Sequence, residues 1–391
     1  MARKVVLAYS GGLDTTVAIP WLKEQGYEVI AFSADVGQGE KRFDIISKRA
    51  KIAGAAKFIV KDLRKEFIQE FAFKALKAHA LYENKYYLAT ALSRPLISKY
   101  LVDIAGKEGA NAVVHGCTGK GNDQVRFEVA IKVLAPKLKI IAPLRDWELK
   151  NRAEEIKYAR DRKIPIEVKK SAYSIDRNLW GISIECGILE EIDKEVPEDV
   201  FLITNSIAKA PQGGEYVEVE FEKGLPVALN GKKMSSVELV EKLNKLGGKH
   251  GIGRVDMVEN RLVGIKSREV YESPAAAILY FAHSELESIV LDRESLHFKN
   301  IISQKYAELI YYGLMFTPLK ASLDAFIDDT QKYITGKVKL KLEKGNIKAA
   351  SRESKFSRYN IKLATYGEGD IFDHKASAGF IKIWSQSFRG S

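Results

Sequence analysis

The sequence contains very little cysteine, with Cys117 and Cys186 the only two among 391 residues. So few thiols exclude a disulfide-stabilised scaffold and a cysteine-rich metal site. The histidines do not indicate a metal either, because none of them has the spacing of a metal-ligand pair. We therefore expect reduced thiols, a cytoplasmic location and no structural metal ion.

Long apolar runs are also absent. No stretch approaches the roughly 20 apolar residues that a membrane-spanning helix needs, and the first predicted strand begins so close to Met1 that a signal peptide has no room. We therefore expect no membrane partner. A hydrophobic content of 46% with 29% charged residues is typical of a globular protein, and the length suits two or three domains.

Acidic residues are fewer than basic ones, 51 against 62, which leaves a formal net charge of +11. A basic balance can indicate a nucleic-acid partner. Here the lysines are spread along the chain, and in the densest basic stretch they alternate with valine or leucine from Lys337 to Leu342. This alternation is typical of the solvated face of a strand. We therefore expect no nucleic-acid partner.

The first half of the chain alternates short apolar strands with amphipathic helices. The pattern predicts strands at Lys4–Tyr9, Glu28–Ser33, Lys57–Val60, Ala112–His115 and Lys139–Ile141. It predicts helices at 14–25, 42–53, 63–81, 94–107 and 123–134. Such an order indicates a parallel sheet with helices on both faces. Ligands bind these sheets beyond the carboxyl ends of the strands, which places loops 10–16, 34–38 and 115–123 on one rim.

The first of these loops is Ser10-Gly11-Gly12-Leu13-Asp14-Thr15, between the first strand and its helix. Two adjacent glycines allow a tight turn that brings several backbone N–H groups close to a ligand. The helix that follows adds the partial positive charge of its N-terminus. The loop lacks the Lys-Ser/Thr of a P-loop and the dinucleotide fingerprint. It predicts a phosphate site, and the carboxylate of Asp14 could help to hold Mg²⁺.

The second loop runs from His115 to Glu128 and has three glycines in six residues. Its polar residues cluster at the start of the next helix. Arg126 offers a planar fork for a carboxylate, and Asn122 can donate and accept hydrogen bonds at once. Asp123 could receive an ammonium group. The loop therefore indicates an amino-acid site beside the phosphate site.

At these residues the chain resembles the argininosuccinate synthase family. The Ser10–Thr16 loop is shared with the wider ATP pyrophosphatase superfamily, whereas His115–Glu128 is far more specific. Further matching segments occur in the family's order and cover nearly the whole chain: 81–83, 93–95, 174–179, 247–254, 258–261, 266–274 and 378–381.

The resemblance implies a fold and a domain order. We expect an α/β chain with a parallel-sheet, adenine nucleotide hydrolase-like nucleotide-binding domain at residues 1–167. An α+β synthetase domain would follow at residues 168–357. Independently of the resemblance, the alternation of charged and apolar residues at Tyr216–Phe221 and the turn after it predict a β-hairpin. Residues 358–391 would form a C-terminal oligomerisation arm whose aromatic side chains are buried on another subunit of a homotetramer.

The resemblance also implies an ATP-dependent ligase of arginine biosynthesis that joins citrulline and aspartate. The citrulline ureido oxygen would attack the α-phosphate of MgATP, and the aspartate amine would then displace AMP from citrullyl-AMP. The positions that match the family's ATP-binding residues are Ala8, Tyr9, Ser10, Gly11, Gly12, Leu13, Asp14, Thr15, Thr16, Ala34 and Gly116.

The two amino-acid substrates have their own matching positions. Those for aspartate are Thr118, Asn122 and Asp123, and those for citrulline are Tyr86, Asn122, Arg126, Ser174, Ser183, Glu259 and Tyr271. We assign catalytic roles to Asp14, Asp123 and Arg126. The chain departs from the family at Ala91, where a serine often contacts citrulline, and we expect the loss of one hydrogen bond there, worth about 1 kcal/mol.

Two other functions remain open from the residues alone. A tRNA-thiolating enzyme of the same superfamily would use Cys117 as a sulfur carrier, although a buried filler is the expected role of that residue. The other alternative is an ATP-binding sensor that only dimerises.

Other residues have simpler structural explanations. His115 either reaches the ATP pocket or satisfies a backbone group. Arg94-Pro95 is expected to begin a helix, and Tyr311 is expected to contribute to packing.

Overall fold

The computed structural model describes residues 3–39, 43–149, 151–166 and 172–388. The first part is built on a five-stranded sheet of order β3-β2-β1-β4-β5, in which every neighbouring pair is parallel. Its strands are β1 (Arg3–Ala8), β2 (Tyr27–Asp35), β3 (Lys57–Asp62), β4 (Ala112–Val114) and β5 (Lys139–Ile141). The predicted parallel sheet is confirmed.

Both faces of this sheet are covered, also as predicted. Val5 and Leu7 of β1 belong to one apolar cluster, and Val6 between them belongs to another. Because successive side chains of a strand point to opposite faces, the two clusters lie on opposite sides of the sheet. The middle of β1 and of β2 is therefore apolar on both faces, whereas the edge strand β3 also carries Lys57, Lys61 and Asp62.

The helices of the first part surround the sheet. They are α1 (Leu13–Glu24), α2 (Phe43–Ala53), α3 (Arg64–Glu66), α4 (Phe73–Lys77), α5 (Ala89–Glu108), α6 (Asn122–Leu134), α7 (Pro143–Asp146) and α8 (Arg152–Asp161). A π-helical segment, Phe67–Ala72, joins α3 to α4.

Two predictions about these helices were wrong. The helix predicted at 63–81 ends at Lys77 and contains the π-helical segment. The helix predicted to begin at Arg94-Pro95 begins five residues earlier, at Ala89, so that Pro95 lies inside it. Burial explains the second error, since Leu92 and Leu96 are fully buried and their packing outweighs the missing N–H of the proline.

The second part contains two antiparallel sheets. In chain order the strands are β6 (Ser174–Asn178), β7 (Gly181–Glu185), β8 (Glu215–Glu222), β9 (Leu225–Leu229), β10 (Lys232–Lys233), β11 (Arg254–Asn260), β12 (Lys266–Glu272), β13 (Gly336–Glu343) and β14 (Asn346–Glu353). One sheet has the order β11-β12-β7-β6 and the other β10-β9-β8-β13-β14.

The second sheet contains the predicted hairpin, because β8 and β9 pair antiparallel around Lys223-Gly224. Its strand β13 also explains the densest basic stretch. Val338, Leu340 and Leu342 are fully buried, while the lysines between them lie on the other face. The prediction of a solvated strand face is therefore confirmed.

The remaining helices are α9 (Ser236–Lys249), α10 (Pro274–Val290), α11 (Arg293–Tyr311), α12 (Pro318–Thr330), α13 (Ile361–Ala364) and α14 (His374–Trp384), with 3-10 turns at Gly187–Glu190, Glu198–Val200 and Ser385–Phe388. Within the described ranges, no helix has the length and apolar character that crossing a membrane requires.

The C-terminal part of the chain is not buried. From residue 357 to 388 no residue is buried, although Tyr366, Phe380 and Trp384 are large and apolar. The predicted boundary at residues 167–168 lies outside the described residues on both of its sides.

Candidate active site

A cavity of about 1100 Å³ lies between the carboxyl edge of the parallel sheet and the sheet β11-β12-β7-β6. The strand order reverses at β1, since β2 and β4 lie on its two sides. The loops after β1 and β4 therefore lead in opposite directions from this point and leave a crevice between them, as in other open α/β sheets.

Every residue predicted for a site lines this one cavity. From the nucleotide set these are Ala8, Tyr9, Ser10, Gly11, Gly12, Leu13, Asp14, Thr15, Thr16, Ala34 and Gly116; from the amino-acid sets they are Tyr86, Thr118, Asn122, Asp123, Arg126, Ser174, Ser183, Glu259 and Tyr271. The cavity thus brings together residues from both parts of the chain.

The loop after β1 is a tight turn held by its own hydroxyl groups. Gly11 has a φ of +76°, which favours glycine, and a Cβ there would lie 2.8 Å from Ile46. The Gly12 N–H donates to Ser10 Oγ at 3.2 Å. Thr16 Oγ1 donates to the Gly12 carbonyl at 2.6 Å, and so it accepts from the Tyr9 hydroxyl at 3.1 Å.

The helix α1 begins directly after this turn. Within the described chain no side chain caps its N-terminus at Gly12, so the N–H groups of its first turn keep the capacity to bind an anion. The residues around the loop are fixed before any ligand arrives. This arrangement suits a phosphate group.

Two carboxyl groups meet beside the phosphate loop. Asp14 is in the first turn of α1, and Glu155 of α8 is 7% exposed. Burial, then a hydrogen bond with Asp14 and the charge of Asp14, raise the pKa of Glu155 to about 8. Among the described residues, Glu155 Oε2 has no hydrogen-bond partner. Glu155 therefore holds a proton at neutral pH next to the carboxyl group of Asp14.

On the opposite wall, two arginines hold Asp123. Arg94 Nε lies 2.8 Å from Asp123 Oδ2, and Arg126 Nη1 lies 2.8 Å from Asp123 Oδ1. Arg94 also bonds Asp176 of β6. Burial alone would raise the pKa of Asp123, but the charges of the two arginines outweigh burial and leave it below its ordinary value. Asp123 is therefore an ionised carboxylate whose oxygens are fixed.

A second carboxylate, Glu259 of β11, is held by tyrosines. The hydroxyl of Tyr271 donates to Glu259 Oε2 at 2.5 Å, and that of Tyr311 donates to Glu259 Oε1. Burial raises the pKa of Glu259, and these hydrogen bonds partly offset the rise. Both oxygens of a 3%-exposed carboxylate thus have donors.

Tyr86 and Thr90 form the floor beside Glu259. The ring of Tyr86 stacks on Tyr271 with centroids 4.1 Å apart, and its hydroxyl accepts from the Thr90 N–H at 3.0 Å. Thr90 Oγ1 lies 2.8 Å from Ser183 Oγ. Ala91, the departure from the family pattern, is fully buried and is not among the lining residues, so the hydroxyl at this turn of α5 comes from Thr90.

A third acidic group adjoins Glu259. The guanidinium of Arg261 bonds both Glu185 and Glu269. Burial, followed by the charges of Glu185 and Glu259, raises the pKa of Glu269 to about 8. The antiparallel sheet therefore presents more carboxyl groups than cations to the cavity.

Cys117 and His115 also line the cavity. Burial, with the charge of Asp123, raises the pKa of the Cys117 thiol far above its ordinary value, so the thiol is neutral. His115 Nδ1 accepts from the Cys117 N–H at 3.3 Å, which leaves Nε2 to donate to Glu128 at 3.0 Å. His115 thus satisfies a backbone group and reaches the cavity at the same time.

The sequence analysis gave no binding role to several residues of this cavity, among them Thr90, Arg94 and Asp176, nor to Tyr311, which lies outside the lining. Arg94 was treated as a possible helix start, and Tyr311 as packing. Their partners Asp123, Asp176 and Glu259 lie between 29 and 82 positions away along the chain. Residue spacing within a motif gives no signal over such separations. The one available signal was Arg94 itself, because an arginine is rarely buried without a partner.

Comparison with known proteins gives one family for both parts of the chain. A family model described as the arginosuccinate synthase N-terminal HUP domain matches residues 4–165. A model described as the arginosuccinate synthase C-terminal domain matches residues 173–390.

Curated relatives agree over nearly the full length. An argininosuccinate synthase of Carboxydothermus hydrogenoformans is 60% identical, over 98% of this chain and 96% of the relative. Those of Endomicrobium trichonymphae and Caldanaerobacter subterraneus are 53% and 54% identical, over 98% and 99% of this chain and 93% and 94% of the relatives.

Proposed function

Because the chain belongs to the argininosuccinate synthase family, we propose that its cavity binds ATP, citrulline and aspartate in adjoining subsites and joins the two amino acids. The chain is an ATP-dependent ligase of arginine biosynthesis that forms argininosuccinate. The observation that carries the assignment of the cavity is the position of the phosphate loop opposite a wall of fixed carboxylates and arginines.

The nucleotide subsite is the loop Ser10–Thr16. Its free N–H groups at the start of α1 bind the β- and γ-phosphates, which leave as pyrophosphate. Ala34, near the end of β2, and Gly116, in the loop after β4, flank the nucleotide. A side chain at Gly116 would lie 2.7 Å from Thr15, so the lack of one there keeps the crevice open between the two loops.

The residues present also fit Mg²⁺. Magnesium binds through one or two carboxylates together with the phosphates of a substrate, and Asp14, which lines the cavity in the first turn of α1, supplies one such carboxylate. The ion would neutralise charge on the leaving pyrophosphate.

The first chemical step is adenylation of citrulline. The ureido oxygen attacks the α-phosphorus, its bond to phosphorus forms, and the bond to the bridging oxygen breaks as pyrophosphate leaves. Citrulline is held for this attack by seven side chains: Tyr86, Asn122, Arg126, Ser174, Ser183, Glu259 and Tyr271. The step needs alignment and charge stabilisation rather than a covalent nucleophile.

The second step is displacement of AMP by the aspartate amine, which loses its proton during attack. Asp123, with Thr118 and Asn122, holds the aspartate. Two arginines lower the pKa of Asp123 and make it a weak base. We therefore assign the proton to a phosphate oxygen of the adenylate, and Asp123 to binding.

Pyrophosphate release tests this function against its alternatives. Release from MgATP that requires citrulline supports the ligase. Release that requires tRNA would support sulfur transfer, and the neutral thiol of Cys117 argues against that reaction. A protein that binds ATP and releases nothing under either condition would be a sensor.

We also propose that the chain forms a homotetramer through residues 358–388. The proposal is supported by the many apolar side chains that this segment leaves exposed on a single chain, among them Tyr366, Phe380, Ile383 and Trp384.

A further inference from the structure

Tyr311 connects three residues that the proposed function uses, yet it does not line the cavity itself. It is the last residue of α11 and is fully buried. Its main-chain oxygen accepts from Arg126 Nε at 2.9 Å, and the Arg126 guanidinium lies 4.6 Å from the centre of its ring. The other partners bond its hydroxyl.

The hydrogen bonds of that hydroxyl have one possible direction. Asn122 Nδ2 donates to the Tyr311 oxygen at 2.7 Å, and the single phenolic hydrogen is donated to Glu259 Oε1. Asn122 Oδ1 in turn accepts from the Leu262 N–H at 2.9 Å. The relay Asn122–Tyr311–Glu259 is therefore fixed at each atom, including the orientation of the Asn122 amide.

The ring is held as firmly as the hydroxyl. Tyr82 stacks on it with centroids 3.5 Å apart and 6° between the planes. The Tyr82 hydroxyl donates to the carbonyl of Asn260 at 2.6 Å, next to Glu259 in the chain. Through the side chain of Tyr311, helix α11 thus contacts both strand β11 of the second part and helix α6 of the first part.

We propose that Tyr311 is a positioning residue that couples the two amino-acid subsites, by holding Glu259 for citrulline and Asn122 for both amino acids. The inference rests on the proposed function, because it takes the roles of Asn122 and Glu259 from it. Of the hydrogen bonds described for Asn122, Tyr311 and Glu259, none reaches the nucleotide loop Ser10–Thr16.

The test is the variant Tyr311→Phe, which removes one oxygen and keeps the ring between Tyr82 and Arg126. It leaves the Asn122 amide and one oxygen of Glu259 without a buried partner, and such losses weaken binding by roughly 5- to 50-fold. We expect the KM values for citrulline and for aspartate to rise by this factor, while the KM for ATP stays within about twofold of the full-length wild type.

Tyr306→Phe is the matched control. Tyr306 lies on the same helix, is fully buried, and its hydroxyl bonds Asp324 at 2.5 Å, away from the cavity. We expect this variant to lower the thermal midpoint and leave all three KM values unchanged. The contrast separates positioning from a general loss of stability.

A double variant shows whether Tyr311 acts through Glu259. In Tyr311→Phe with Glu259→Gln, the citrulline KM should rise by clearly less than the product of the two single effects, because the contribution that passes through Glu259 is already lost and only that through Asn122 remains. Additive effects overturn the proposal, as does a Tyr311→Phe enzyme that behaves like Tyr306→Phe or in which only one amino-acid KM rises. A wild-type enzyme that forms no argininosuccinate would instead refute the proposed function.

Discussion

At the scale of single residues, the site depends on carboxylates that are held in defined ionisation states. Asp123 lies between Arg94 and Arg126 and stays ionised. Glu155 is buried beside the phosphate loop with a hydrogen bond to Asp14, and its pKa is raised to about 8. One carboxyl group is thus a fixed anion, and the other holds a proton at neutral pH.

Replacing Asp123 should separate the two half-reactions. In Asp123→Asn the shape is kept, but the aspartate subsite loses its charge and both arginines lose a partner. We expect the aspartate KM to rise by roughly 100-fold, since the loss of a charged buried partner costs about 3 kcal/mol. Citrulline-dependent exchange of pyrophosphate into ATP should survive, as measured with labelled pyrophosphate.

Asp103→Asn is the control for that experiment, because Asp103 forms an ion pair with Lys107 on the exposed side of α5 and does not line the cavity. It should change neither half-reaction. Equal loss of exchange and of overall synthesis in Asp123→Asn would show that the residue does not belong to the aspartate subsite.

The raised pKa of Glu155 predicts a pH dependence of stability. An unfolded glutamate loses its proton near pH 4.5, whereas the folded protein holds that proton to about pH 8. Unfolding between these values releases a proton, so stability falls as the pH rises across this window. For the protein without nucleotide, the thermal midpoint should decrease as the pH is raised from 5 to 8. The free energy of unfolding should decrease by on the order of 2–4 kcal/mol over this range.

In Glu155→Gln this fall should become shallower, with a residual slope from Glu269, whose pKa is raised in the same direction. Thermal scans at several pH values give the measurement. Glu294→Gln, at an exposed glutamate of α11, should retain the wild-type slope. An unchanged slope in Glu155→Gln would contradict the assignment of this proton.

The sequence predicted many site residues because they lie in two loops whose spacing has a chemical meaning. It did not predict a role in the site for Arg94 or Tyr311. Arg94 sits within a helix pattern, and Tyr311 is the last residue of a long amphipathic helix that gives no reason to expect a polar role. Their importance comes from partners that the fold brings near, which a single sequence does not record.

At the scale of elements, the phosphate loop combines a strand end, two glycines and a helix start. The turn needs the positive φ of Gly11, and the nearby Ile46 leaves no space for a side chain there. In Gly11→Ala we expect the KM for ATP to rise by roughly 10-fold or more, with the amino-acid KM values nearly unchanged, because the distortion is confined to the loop.

Gly109→Ala provides a matched control, since Gly109 also has a positive φ, of +63°, but ends α5 with open space around it. Both variants should lose about 1 kcal/mol of stability from backbone strain. Only the loop variant should weaken ATP binding, which isothermal titration calorimetry measures. Equal ATP affinity in the two variants would place the phosphates elsewhere.

The elements that sequence patterns predicted best are those with apolar, regular faces. The five parallel strands and the β8–β9 hairpin were predicted to within a few residues. Strands β6, β7, β11 and β12 were not predicted. On β7 the alternation is present, since Ile182 and Ile184 are buried in a core while Ser183 and Glu185 line the site. The strand is only five residues long, and so short an alternation is a weak signal in a single sequence.

At the scale of the whole molecule, the cavity is built by two parts of the chain and the C-terminal segment takes no part in it. Residues 357–388 contain no buried residue in the single chain, and none of them lines the site. The segment therefore has an apolar surface with no role in the described chain, which is the basis for proposing an arm between subunits.

Deleting the residues after Tyr359 tests the arm. Light scattering after size-exclusion chromatography should give about four chains of 43.8 kDa for the full-length protein and a smaller assembly for the truncated one. As a control, Ile192→Ser removes an equally exposed apolar side chain outside the arm and should leave the assembly unchanged. A truncated protein with the full-length assembly would refute the arm.

The central claim is that the citrulline ureido oxygen attacks the α-phosphorus of ATP while the loop at Ser10–Thr16 holds the departing pyrophosphate. It is tested by supplying citrulline labelled with ¹⁸O in the ureido group and following the label by mass spectrometry. The account predicts that the label appears in AMP, with none in pyrophosphate. Unlabelled AMP, or label in inorganic phosphate with formation of ADP, would contradict it.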